Sequence, residues 1–65
     1  MKILLLKARV ERKITLEKLA ESSGISKSML QRIESKAVSP TMDTMEKLAK
    51  AMNMRITDLF ESEFK

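Results

Sequence analysis

The 65-residue chain has no cysteine, histidine, tryptophan or tyrosine, and it has only one glycine, one proline and two phenylalanines. Without cysteine there can be no disulfide, and without cysteine or histidine there is no zinc site built on thiolate or imidazole. No apolar run approaches the ~18 residues that a membrane span needs. Ile3-Leu4-Leu5-Leu6 is too short for a signal-peptide core, and no small-residue cleavage site follows it. Enzyme chemistry has no foothold either. There is no glycine-rich phosphate loop, and no carboxylate pair that spacing would turn inward. No cofactor and no metal are expected. A chain this short forms one domain, residues 1–65, and buries only ~60% of its extended surface. Tight helix packing and self-association are the sources of stability left to it. The lack of cysteine fits a reducing, cytoplasmic setting.

What the chain does have is charge, unevenly placed. Against 13 Lys+Arg stand 9 Asp+Glu, a net charge of +4. Residues 1–36 hold nine basic and four acidic side chains, whereas residues 37–65 hold four and five. A basic half beside a near-neutral half suits one face for a polyanion and another for something else. The alternative is an ordinary solvated surface.

Apolar residues recur at three- and four-residue steps between sparse breaks, which is helical spacing. Residues 1–6 could pass as a short strand, but good helix formers follow, and the first helix is placed at 2–12. Thr15 stands as an N-cap, with Glu17 favouring the positive helix start, for a helix over about 15–22. Gly24 suits the left-handed residue that closes it. Ser26 is the next N-cap candidate, for a helix over about 26–34 with Leu30 and Ile33 on its apolar face. The link Ser23-Gly24-Ile25 is short enough to force the two helices to cross steeply. Pro40 ends helical backbone, and Thr41 can cap a helix over 42–52 that Asn53 terminates. Met29, Met42, Met45 and Met52 are expected to fill the core. A fifth helix is placed at 56–63. The fold class expected is all-α, a compact bundle of five helices.

Several short motifs fall in register along this pattern. They are Ala8-Arg9, Ile14-Thr15, Leu19-Ala20, Gly24-Ile25-Ser26, Leu30-Gln31-Arg32-Ile33-Glu34, Ser39-Pro40-Thr41, Leu48-Ala49-Lys50-Ala51 and Leu59-Phe60. Through them residues 1–60 resemble the lambda-repressor-like, Xre/Cro-type helix-turn-helix family. The resemblance implies a sequence-specific double-stranded DNA-binding regulator, a repressor by expectation, of prokaryotic or phage type. Its second and third helices would form the helix-turn-helix, with the third in the major groove. Lys27, Ser28, Gln31 and Arg32 would then face base edges. Arg32 is the residue suited to a bidentate contact with guanine, Lys27 offers a donor to guanine or to phosphate, and Ser28 offers one to either. The family often turns the Gln31 position outward past the groove. Thr15, Lys18, Ser26, Ser35 and Lys36 are the candidates for phosphate contacts. The family often joins an arginine of helix 1 to the glutamate ending helix 3, and Arg9 and Glu34 occupy those positions.

The chain departs from the family at two places. Leu16 stands where a glutamine usually touches phosphate. The loop after Glu34 reads Ser35-Lys36-Ala37-Val38 instead of Asn-Gly and basic residues. Lys36 thus takes a position suited to glycine and a positive φ. A homodimer on a pseudo-palindromic operator is expected, with Val38, Ile56, Phe60 and Phe64 as its apolar interface and recognition helices one DNA turn (~34 Å) apart. The rival reading is a protein-interaction module of the same fold, antitoxin-like or anti-regulator, with weak DNA affinity. A membrane-surface anchor at Lys2-Ile3-Leu4-Leu5-Leu6-Lys7 is disfavoured, because folding would bury those leucines.

Overall fold

Three hydroxyl side chains set where the central helices begin. In the computed structural model, which describes Met1–Lys65, Thr15 Oγ1 accepts from the Lys18 amide at 3.1 Å and Ser26 Oγ from the Met29 amide at 3.2 Å. Thr41 Oγ1 accepts from the Thr44 amide at 3.2 Å. Each satisfies an amide that the first helical turn leaves without a partner. Behind these caps run α2 (Leu16–Ser23), α3 (Lys27–Glu34) and α4 (Met42–Ala51). The first helix, α1 (Leu5–Glu11), has no side-chain cap.

Both ends of the chain differ from the five-helix expectation. The segment placed at the start of a helix over 2–12 is instead a strand, β1 (Lys2–Ile3), and α1 begins only at Leu5. The segment placed in a helix over 56–63 is a single 3-10 turn, Ile56–Leu59, followed by β2 (Phe60–Glu61). The two strands pair antiparallel, Lys2 with Glu61 and Ile3 with Phe60, and the Leu4 amide donates to the Leu59 carbonyl at 2.7 Å. This pairing satisfies backbone groups at both ends that a longer first helix would have had to satisfy alone. β-branched Ile56 and Thr57 and aromatic Phe60 also favour extended or tight backbone over a continued α-helix. The molecule therefore has four α-helices, one 3-10 turn and a two-stranded sheet. At its far end Lys65 Nζ donates to the Phe60 carbonyl at 2.9 Å and lies 5.5 Å from the Phe60 ring centre.

Every element except the strands contributes to one core of ten buried residues. They include Leu5 and Ala8 of α1, Leu19 of α2, Leu30 and Ile33 of α3, Met45, Leu48 and Ala49 of α4, then Met52 and Leu59. Two of the four methionines expected inside lie outside it: Met29 is 38% and Met42 63% exposed. Met42 is the first residue of α4, where no preceding turn covers it, and Met29 sits beside the buried pair Leu30 and Ile33 instead of on their face. Of the N-terminal leucines, Leu5 is buried, Leu4 half-buried and Leu6 exposed. No helix is long and apolar enough to cross a membrane.

Three of the four helices close in the same way. After α1, α3 and α4 the chain turns at Lys13 (φ 56°), Lys36 (φ 66°) and Asn53 (φ 54°). Around Lys36 its own amide donates to the Ile33 carbonyl and the Ala37 amide to the Arg32 carbonyl, at 3.1 and 2.9 Å. The same pair of bonds recurs at Lys13–Ile14 and Asn53–Met54. This reversed pairing satisfies carbonyls that the last turn leaves open, at the cost of left-handed backbone in residues that carry a Cβ. Only α2 uses glycine, at Gly24 (φ 76°). A Cβ built there would meet nothing within 4 Å, so the dihedral and not space calls for glycine.

Candidate nucleic-acid interface

The helix-turn-helix is α2, the turn Gly24–Ser26 and α3. Its turn is held by the Ile25 amide, which donates to Ser23 Oγ at 3.2 Å, and by the Gly24 amide on the Ala20 carbonyl at 3.0 Å. Leu30 and Ile33 bury the inner face of α3, so its other faces point outward by helical geometry. Lys27, Ser28, Gln31 and Arg32 are all exposed. No carboxylate lies within ion-pair distance of Arg32, whose guanidinium is free to take an external acceptor.

Lys27 is not free. Its Nζ lies 2.9 Å from Oε2 of Glu17, in the first turn of α2. Both side chains remain open to solvent, at 48% and 69% exposure. The hydrogen bond from Lys27 is the main reason the Glu17 carboxyl is held below the usual carboxylate range, with its own backbone amide adding to the effect. Glu17 is not among the residues the sequence marks as lying at the interface. Ten positions separate it from Lys27, and no helical period connects residues across a turn. The only available signal is an acid in the first turn of α2 facing a base in the first turn of α3.

The candidate phosphate contacts are exposed too: Thr15, Lys18, Ser26, Ser35 and Lys36. The hydroxyls of Thr15 and Ser26 are engaged as helix caps, and Ser35 Oγ donates to the Arg32 carbonyl at 3.1 Å. Lys18 and Lys36 make no ion pair. Leu16 is half-buried and packs on the core. The α2 start therefore offers an outside partner the first-turn amides that Thr15 leaves uncapped and the Lys18 side chain.

At the other end of α3, Arg9 and Glu34 come together. Arg9 Nε donates to Oε2 at 2.6 Å and Nη2 to Oε1 at 3.2 Å, while Nη1 donates to the Ile14 carbonyl at 2.9 Å. The side chains are 16% and 10% exposed. The Glu34 carboxylate raises the Arg9 pKa, and desolvation opposes it more weakly. One guanidinium thus ties α1, the loop before α2 and the end of α3 together.

Of the four residues expected at a dimer interface, Val38, Ile56 and Phe60 are half-buried and packed against the core. Phe64 alone stands out, at 94% exposure. The apolar area these four offer a second copy falls mainly to Phe64.

Residues 5–59 match the family model described as helix-turn-helix. Over 46 residues, 71% of this chain, the sequence is 44% identical to the "HTH-type transcriptional regulator SutR" of Escherichia coli (strain K12). The matched stretch is 26% of that protein, so the chain spans about a quarter of the curated relative. The family match runs from the first residue of α1 to the last of the 3-10 turn, and the chain belongs to the Xre/Cro-type helix-turn-helix family.

Proposed function

We propose that this chain is a sequence-specific double-stranded DNA-binding domain of a transcriptional regulator, with α3 lying in the major groove. The observation that carries the reading is the outer edge of α3, where Arg32 has no internal partner, Ser28 and Gln31 are exposed, and Leu30 and Ile33 anchor the opposite face. An unpaired guanidinium on a rigid helix matches the two major-groove acceptors of guanine. Lys18 and Lys36 supply phosphate contacts on either side, and the capped start of α2 adds backbone dipole. The resemblance to a transcriptional regulator supports the same reading, as does the basic first half of the chain. The output proposed is repression, in a cytoplasmic prokaryotic or phage setting, by a homodimer on a pseudo-palindromic site.

The test is selection of duplexes from a random pool, followed by anisotropy titration of the selected site. Arg32→Ala should weaken that binding about 10- to 100-fold and relax preference at one base pair, with the fold intact. Equal binding by the variant and the parent would refute the assignment of Arg32.

A second reading, an interaction module with little DNA affinity, is favoured by one specific observation. Leu16 is packed on the core where a polar side chain would reach phosphate, and Ala37 and Val38 add no cation. No binding to any duplex at about 50 mM salt would select it.

A further inference from the structure

The Glu17–Lys27 contact has consequences for how strongly the domain holds DNA of the wrong sequence. Lys27 is the first residue of α3, and its ammonium is a candidate DNA contact, yet a carboxylate from α2 occupies it at 2.9 Å. Glu17 lies in the first turn of α2, the helix whose start also offers amides and Lys18 to a phosphate. Its carboxylate therefore stands where two groups that would attract a phosphate oxygen meet. An ammonium that turns fully to a phosphate gives up a charge-assisted hydrogen bond and leaves a bare carboxylate beside the DNA backbone, where like charges repel. One that bridges both acceptors holds a carboxylate against the phosphate.

Sequence-independent affinity comes almost wholly from phosphate neutralisation, whereas base-edge contacts by Arg32 do not pass through Lys27. A device that withholds one cation from phosphates thus weakens sequence-independent binding by the worth of one phosphate contact. Resting on the DNA-binding reading, we propose that Glu17 is a positioning residue that holds Lys27 away from the phosphates and so lowers the domain's sequence-independent hold on DNA.

The experiment compares the parent, Glu17→Gln, Lys27→Gln and the double variant, on a random-sequence duplex and on a duplex selected by the parent, across a salt series. Both side chains are exposed, so folding is not at stake, and melting curves check it. Glu17→Gln should tighten random-duplex binding several-fold. Its log–log salt slope should steepen by about 0.9, the signature of one more phosphate contact. In the Lys27→Gln background the steepening should vanish. A general loss of negative charge would tighten binding with or without Lys27, so the dependence of the slope on Lys27 separates the two causes.

An unchanged slope in Glu17→Gln, or the same steepening without Lys27, would overturn the inference and leave the DNA-binding reading standing. If neither the parent nor Glu17→Gln binds duplex at about 50 mM salt, both fall together. A silent parent with a Glu17→Gln variant that binds only while Lys27 is present would support the inference, and one that binds equally without Lys27 would overturn it; the selected duplex would then come from the variant.

Discussion

The two ends of α3 are each tied to the rest of the molecule by a Glu–basic pair, and the pairs are built for opposite purposes. At the C-terminal end Arg9 and Glu34 form two parallel bonds with side chains only 16% and 10% exposed, and a third bond reaches the Ile14 carbonyl. At the N-terminal end Lys27 and Glu17 share a single contact between side chains 48% and 69% exposed. The planar guanidinium fork fixes direction, whereas an ammonium on a flexible stem can turn to another acceptor. Burial then decides the strength. A half-buried pair holds the helix in place, and a solvated pair of the same charges can be exchanged for an outside partner.

Breaking the less exposed end should have the largest effect. Glu34→Ala leaves the Arg9 guanidinium without its carboxylate and should cost about 2 kcal/mol in urea unfolding, since it strands a partly buried charge. Glu34→Gln, which keeps an acceptor, should cost less. If Glu34→Ala unfolds at the parent's midpoint, the two ends do not differ in kind.

A smaller effect is expected just beyond that end. Lys36→Gly relieves left-handed backbone and should raise stability by up to about 1 kcal/mol. The same change removes a candidate phosphate contact and should flatten the salt slope of DNA binding by about 0.9. Stability and affinity would move in opposite directions, which a melting curve and a titration read separately.

The smallest effect belongs to the exposed end. Lys27→Ala should leave the melting temperature unchanged, because solvated ion pairs contribute little to folding. A clear drop would mean that the contact is structural and not held in reserve.

The central helices were legible because their signals are local. Thr15, Ser26 and Thr41 each cap the helix that follows, and Gly24 closes α2. The chain ends were not, because the pairing of Lys2–Ile3 with Phe60–Glu61 joins segments almost a full chain length apart. Nothing in either dipeptide outweighs the helix-forming residues beside it. Asn53 reads readily as a left-handed terminator and Lys36 as a position suited to glycine, but Lys13 gives no such sign, since lysine rarely adopts that backbone. At the interface, exposure of Gln31 and Arg32 follows from their spacing against Leu30 and Ile33. The capture of Lys27 by Glu17 needs the crossing of two helices, which residue spacing along one helix cannot supply.

Lys65 gives the miniature sheet its finish. A pair of two-residue strands would ordinarily be an invitation to further strands, since open carbonyls along a sheet border can recruit another chain. Here the carbonyl of Phe60 is already taken by an ammonium 2.9 Å away, and that same charge rests over the Phe60 ring. An incoming strand on the β2 side would have to displace a cation as well as water, so that border is a poorer template for further pairing than a bare strand edge.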